Sequence, residues 1–199
     1  MPLKNDASVS VQLLRPRRFA DERGWFSETY SERREAAAGL AQRFVQDNHS
    51  YSAAAGTIRG LHYQSPPHAQ AKLVRCLRGS IMDYAVDLRR DSPTFGRHIR
   101  AELTAENGAQ LFIPVGFAHG FITLEPHTEV AYKVSDFYAP DCEGGVIWND
   151  PMLAIDWPLG SSQPSLSEKD RSLPMLQDFT SPFEYHAPPL PPSLNHGTI

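Results

Sequence analysis

An all-β fold, a barrel or sandwich of short strands with a few short helices, is predicted for this 199-residue chain by three observations. Apolar residues recur with a period of two, turn residues punctuate those runs, and only one stretch carries helix signals. In chain order, Val9, Val11 and Leu13 alternate as a first strand. Thr29-Tyr30-Ser31-Glu32 forms a capping box, Glu35-Ala36-Ala37-Ala38 has high helix propensity, and Gly39 is placed to end the helix. Leu73 to Leu77 and Ile81 to Leu88 read as two strands joined at Arg78-Gly79-Ser80. Ile81 to Asp87 is almost continuously apolar, which predicts a central strand buried on both sides. Asp91-Ser92-Pro93 turns the chain into Ile99 to Leu103, and Glu106-Asn107-Gly108 turns it into Leu111 to Ile113. The last run, Phe121 to Leu124, stops at Glu125-Pro126-His127. Many short strands at this spacing indicate a barrel or sandwich.

The length favours one domain, able to bury roughly two thirds of its unfolded surface. No internal repeat or linker interrupts residues 1–177, which read as that domain. Residues 178–199 read as a Pro-rich C-terminal tail containing Pro188-Pro189-Leu190-Pro191-Pro192, a frayed extended terminus in preference to a proline-motif ligand. Cys76 and Cys142 form no disulfide framework or zinc spacing, which suits a reducing cytoplasm. Neither a signal peptide nor a run of about 18 apolar residues is visible, so a cytoplasmic protein with no membrane partner is expected. The net charge is −4 and the basic residues are scattered, which argues against a nucleic-acid partner while leaving room for a small anionic ligand.

The spacing Gly108, five residues, Pro114-Val115-Gly116, two residues, His119 resembles the second motif of the cupin superfamily. That resemblance sharpens the fold to a cupin-type double-stranded β-helix, or jelly roll. The first cupin motif should supply two histidines and a glutamate, whereas this chain has His62-Tyr63-Gln64 and then Lys72. A divalent cation needs three or four convergent imidazoles or carboxylates. An interior with imidazoles beside an amine suits proton transfer instead, so no metal and no cofactor are expected.

Of eight histidines, His49, His98, His127, His186 and His196 lie in polar or terminal contexts and read as surface residues. His62 and His119 each follow a glycine-containing turn in an apolar strand and are expected to point into one interior. Spacing leaves two roles open for them, a functional one and that of satisfied core histidines. A metal site of His62, His68 and His119 is the less favoured use.

The stretches Asp21-Glu22-Arg23-Gly24, Gln46-Asp47-Asn48, Arg59-Gly60-Leu61-His62-Tyr63-Gln64, Ala69-Gln70-Ala71-Lys72-Leu73-Val74-Arg75, Ser92-Pro93-Thr94-Phe95-Gly96, Pro114-Val115-Gly116-Phe117-Ala118-His119-Gly120-Phe121, Asn149-Asp150-Pro151 and Leu166-Ser167-Glu168-Lys169-Asp170 run collinearly. Together they resemble the dTDP-4-dehydrorhamnose 3,5-epimerase family. The resemblance implies a dTDP-4-keto-6-deoxyhexose substrate inverted at the two carbons flanking its C4 ketone. Such chemistry needs a base on one face, a donor to the oxyanion, and an acid on the other face. By resemblance His62 is the base, Asp170 orients it, Lys72 faces the ketone oxygen and Tyr132 is the proton donor. Arg23, Arg59 and Lys169 match diphosphate contacts, whose paired oxygens suit guanidinium forks. Glu28, Gln46, Asp47, Asn48 and Glu143 match positions around the nucleotide, Tyr138 a stacking platform for thymine, and His119 a substrate contact. The resemblance also implies a homodimer whose N-terminal segment, including Arg23, reaches the neighbouring site.

Three alternatives stay open at this level. Relatives that invert only C3 or only C5 share the base and the acid. A non-catalytic sugar-nucleotide-binding cupin would account for the arginines. A metal-dependent cupin enzyme is disfavoured by Lys72 and Tyr63-Gln64.

Overall fold

The period-two runs pair into two antiparallel five-stranded sheets. A computed structural model describes residues 10–37, 39–40 and 42–186. The strands are β1 (Gln12–Leu14), β2 (Phe19–Asp21), β3 (Gly24–Phe26), β4 (Gln46–Ser52), β5 (Ile58–Gln64) and β6 (Lys72–Arg78). They continue with β7 (Ser80–Asp87), β8 (His98–Thr104), β9 (Gln110–Ile113), β10 (Phe117–Thr123), β11 (Thr128–Val134) and β12 (Glu143–Gly145). Helix α1 spans Glu32–Ala37 and α2 spans Glu168–Arg171. The first sheet has the order β1-β9-β6-β11-β4, the second β12-β5-β10-β7-β8, and β2 with β3 forms a separate hairpin.

Between the sheets pack Val74, Ile81, Ala85, Leu103, Leu111, Ile113, Phe117, Phe121 and Val130. Each such side chain contributes roughly 1.5–3 kcal/mol relative to exposure. The opposite face of the second sheet presents Leu61, Tyr84, Val86, Ala118 and Ile122, covered by Val146, Leu153, Trp157, Leu176 and Phe183. Strand β7 is therefore buried on both faces, as its apolar run predicts, with only Met82 partly exposed. Leu40, Phe44 and Tyr30 cover the outer face of the first sheet at Leu73 and Phe112.

Several local expectations are refined. Val11 packs against the core between the sheets, Leu14 against the outer face at Leu73 and Phe112, Leu13 is 45% exposed, and Val9 lies outside the described residues. Ser31, not Thr29, starts α1: its carbonyl accepts from Glu35 N at 2.9 Å and its Oγ from Arg34 N at 3.5 Å. The helix ends as expected at Gly39, whose φ of +85° lets Leu40 N reach Glu35 O at 2.8 Å; Ala38 is outside the described residues. Residues 178–186, counted by the sequence reading with the tail, pack onto the body. Ser181 Oγ donates to Leu88 O, Phe183 is 5% exposed, and Arg90 pairs with Glu184 at 2.6 Å. Pro188 to Pro192 and His196 lie outside the described residues. The Ser92-Pro93-Thr94 turn closes on Asp87, whose Oδ2 accepts from Ser92 Oγ at 2.6 Å and Thr94 Oγ1 at 2.7 Å.

One close approach aligns the interior. Gly60 has φ +137°, and a Cβ there would stand 2.5 Å from Gly120 Cα and 2.9 Å from His119 O. Without side chains at this crossing, β5 lies backbone against backbone on β10 and the register sets His62 opposite His119. Gly60→Ala should cost roughly 2–4 kcal/mol, since strain and overpacking coincide. Gly160→Ala, with φ +57° and nothing near its Cβ, should cost only about 1–2 kcal/mol. Thermal or denaturant unfolding of the two variants compares these losses.

Candidate active site

A cavity of about 480 Å3 opens between the sheets, lined among others by Ser50, Arg59, His62, Lys72, His119, Tyr132, Lys169 and Asp170. A second hollow of about 250 Å3 shares His62, Lys72 and Tyr132 with it and adds Gln46, Asn48, Tyr138 and Glu143. His62 and His119 come from β5 and β10 of the second sheet, Lys72 and Tyr132 from β6 and β11 of the first.

Asp170 reaches His62 because residues 165–176 cross the cavity mouth pinned at both ends. Ser165 N donates to Gly56 O and Ile58 N to Ser165 O, both at 3.0 Å. At the other end Ile147 N donates to Pro174 O at 2.9 Å, and Asp150 Oδ2 accepts from Leu176 N at 2.7 Å. Asp150 Oδ1 also accepts from Met152 N and Leu153 N, which accounts for the Asn149-Asp150-Pro151 motif. Ser167 caps α2, its Oγ accepting from Asp170 N at 3.1 Å. The buried Asp170 then lies 2.5 Å through Oδ1 from His62 Nε2. Burial works against its ionisation, but the hydrogen bond and charge of His62, with Ser167, hold the carboxyl below its usual range. Such a carboxylate fixes the Nε2–H tautomer of a neutral ring and leaves Nδ1 as the basic nitrogen.

Lys72 is 8% exposed and donates from Nζ to His62 O at 3.2 Å. Desolvation pulls its pKa down to about 8, against the opposing charges of Asp83 and Glu143 and with the help of Lys169. His119 Nε2 lies 2.6 Å from Asp83 Oδ1, and burial, outweighing Asp83, lowers the imidazole pKa. Burial raises the Tyr132 phenol, only partly offset by Arg59, so the group keeps its proton at neutral pH. Arg59 is held by β4, donating through Nε to Ser52 Oγ at 3.3 Å and through Nη2 to Tyr51 O at 3.0 Å.

At the second hollow, Glu143 pairs with Lys169 and accepts from Tyr138 OH at 3.0 Å. Burial raises the Glu143 pKa, but these two partners bring it below the ordinary value. Gln46 Nε2 donates to Asn48 Oδ1 at 2.9 Å, and Gln46 Oε1 accepts from Tyr138 N at 3.2 Å. Gln64 fastens the same loop, donating to Phe137 O at 2.9 Å and accepting from Ala139 N at 3.0 Å.

Eleven of the fourteen expected site residues thus line these two hollows: His62, Asp170, Tyr132, Lys72, Arg59, His119, Lys169, Gln46, Asn48, Tyr138 and Glu143. Three do not. Asp47 alternates to the outer face of β4 and pairs with Lys133 at 2.8 Å. Glu28 binds Arg34 at 3.0 Å beside α1. Arg23 sits at the tip of the β2–β3 hairpin, 84% exposed, paired with Asp21 at 2.5 Å. His68 stands in an exposed loop bonded to Asp136 at 3.2 Å, so the trio His62, His68 and His119 does not converge. Two further residues act at the site, Asp83 and Ser167, the second within a quoted motif but with no role expected of it. Ser167 was legible as an N-cap before an acidic turn, whereas Asp83 sat within an apolar run with no local signal.

Residues 9–178 match the family model described as dTDP-4-dehydrorhamnose 3,5-epimerase. The chain is 55% identical over 166 residues to the dTDP-4-dehydrorhamnose 3,5-epimerase of Pseudomonas aeruginosa, covering 83% of this chain and 90% of that one. It resembles the crystal structure of the same-named protein from Bacillus anthracis, solved with TDP and PPi bound, at a TM-score of 0.82 and 51% identity over 87% of this chain and 98% of that one. A dTDP-6-deoxy-D-glucose-3,5-epimerase from Legionella pneumophila, in complex with dTDP-4-keto-L-rhamnose, matches with a TM-score of 0.84 and 42% identity over 93% and 97% of the two chains.

The buried amine gives a direct check on the site's electrostatics. Labelling of Lys72 by an amine-acylating reagent, followed by peptide mass spectrometry, should rise through a midpoint near pH 8, where an ordinary lysine would still be climbing.

Proposed function

The chain belongs to the dTDP-4-dehydrorhamnose 3,5-epimerase family and is an enzyme of that activity; from this premise we propose how its residues divide the reaction. The substrate is a dTDP-4-keto-6-deoxyhexose, and the hydrogens at C3 and C5 are acidic because each lies beside the C4 carbonyl. His62, oriented by Asp170, removes one of these protons. The electron pair moves into the enolate, whose oxygen is met by the Lys72 ammonium. Tyr132 returns a proton to the carbon from the opposite face, and the inverted centre results. Once solvent has taken the proton from His62 and returned one to Tyr132, repetition at the second carbon completes the epimerisation. Two of these roles are supported by burial, which keeps the Tyr132 phenol protonated at neutral pH and leaves Lys72 an ammonium below about pH 8.

The observation that carries this division is that His62 and Tyr132 project from opposite sheets into one cavity that also holds Lys72. A base and an acid facing each other across a bound ring is what inversion requires. Arg59 and Lys169 supply positive charge for the diphosphate, His119 a substrate contact, and Gln46, Asn48, Glu143 and Tyr138 the nucleotide end with thymine stacked on Tyr138. Inversion of a single centre is the less supported reading, since the relatives named for 3,5-epimerisation reach 55% identity to this chain, whereas structures named as a 3'-monoepimerase match it at 32% and 34%.

The proposal extends to a homodimer. Arg23 and Glu28 stand away from the cavity of their own chain, and the hairpin bearing Arg23 exposes Phe19, Trp25 and Phe26. Pairing with a second copy would cover that apolar surface and bring Arg23 to the partner's phosphates, with Glu28 and Asp47 in the same contact region. Residues 1–177 act as one catalytic domain, onto which residues 178–186 pack, and the enzyme works in the cytoplasm. Among the described residues no helix is long and apolar enough to cross a membrane.

In heavy water the enzyme should place deuterium at both C3 and C5 of the substrate; label at C3 alone would exclude double inversion. His62→Ala should lower kcat by about 10²–10⁴-fold, and retention of near-normal exchange would remove it as base. Tyr132→Phe should slow net inversion more than solvent exchange, as followed by NMR. Raising the pH through about 8 converts the Lys72 ammonium to neutral amine, so kcat should fall on that alkaline side. Arg23→Ala should raise KM more than it lowers kcat.

A further inference from the structure

Asp83 of β7 is the carboxylate that the division of roles above leaves without a task. Its side chain is 0% exposed, and its Oδ1 lies 2.6 Å from His119 Nε2. Its Oδ2 has no hydrogen-bond partner, the one buried side-chain polar atom so placed among the described residues. A half-satisfied buried carboxylate is costly unless a positive charge compensates it. The compensating charge is at hand in Lys72, also buried, which uses one ammonium hydrogen on His62 O and has two more to give. The charges acting on that ammonium are Asp83 from β7, Glu143 from β12 and Lys169 from α2, and the hollows it lines also hold His62 from β5, His119 from β10 and Tyr132 from β11. Of the charges among them, Asp83 is the leading one that favours the protonated amine.

We propose that Asp83 is a positioning residue for the reaction, one buried carboxylate that fixes the tautomer of His119 through Oδ1 and holds Lys72 as an ammonium through the charge of Oδ2. A carboxylate can only accept, so neutral His119 must donate from Nε2 and present Nδ1 as an acceptor. An acceptor at that place suits a sugar hydroxyl and leaves the ketone oxygen to Lys72. The inference rests on the assignment of Lys72 to the developing oxyanion made above.

The test is a double-mutant cycle of Asp83→Asn and Lys72→Met, read by both thermal unfolding and kinetics. Each single change leaves one buried charge unopposed and should lower Tm by about 6–15 °C, while the double variant should regain most of that loss. If Asp83→Asn does not fold, a folded double variant supports the pairing and an unfolded one overturns it. Additive losses of Tm in the double variant also overturn it. In the kinetics, Asp83→Asn should move the alkaline limb of kcat to lower pH and lower kcat at neutral pH at least about tenfold, with KM little changed. An alkaline limb that stays in place, with kcat unaltered, refutes the positioning role. Should Lys72→Met retain its kcat while the coupling in Tm persists, the role of Lys72 at the ketone fails and the link from Asp83 to the reaction fails with it, the charge pair alone surviving.

Discussion

The approach of two bare backbone segments, Gly60 on β5 and Gly120 on β10, is the constraint from which the site follows. At that crossing there is no room for a Cβ, and the register that results sets His62 across from His119. Two imidazoles side by side in an interior would repel if both were charged. The fold separates their fates by giving each its own carboxylate from a different element, Asp170 on α2 and Asp83 on β7. One ring is a quarter exposed at the side chain and faces the cavity mouth, while the other is sealed in and pushed toward neutrality by burial.

The rest of the interior obeys the same rule of paired charge. Lys169 pairs with Glu143, and the charges of Asp83 and Glu143 act on Lys72. Where the sandwich is dry, between Val74, Leu111, Phe121 and Val130, it is held by ordinary burial. Where it is polar, Asp170 holds His62, Asp83 holds His119 and Glu143 holds Lys169, while Arg59 is fixed by Ser52 and Tyr51. Preorganisation of this kind spares the reaction the cost of reorienting dipoles as charge develops.

The strands with apolar alternation were legible in the sequence, including β6 and β7 at the site, whereas β4 was not. β7, β8 and β9 announce themselves by apolar periodicity. β4 alternates just as regularly in burial, but its inward positions are Gln46, Asn48 and Ser50, so hydropathy reads it as a loop. β5 was expected only as the apolar strand around His62, without its bounds. Motif resemblance, which does not depend on hydropathy, located those residues. It could not say that Asp47 turns outward from its neighbours, because alternation along a strand becomes visible only once the strand is recognised. Asp83 lay beyond both methods: it sits in an apolar run and lies outside the motifs quoted. The helix cap moved from Thr29 to Ser31 because both residues offer a hydroxyl, and only the chain's path chooses between them.

The pinned crossing segment carries a consequence for biogenesis. His62 and its carboxylate are separated by 108 positions, and every strand of both sheets is complete by Gly145. All the sheet-forming sequence therefore precedes Asp170 in the chain, and His62 gains its carboxylate only when the later stretch clips onto Gly56 and Ile58. A product truncated ahead of Ser165 would retain every β-strand sequence while lacking the group that orients its base. Competence for proton transfer and possession of the sheet sequence are thus separable by the position of a stop codon.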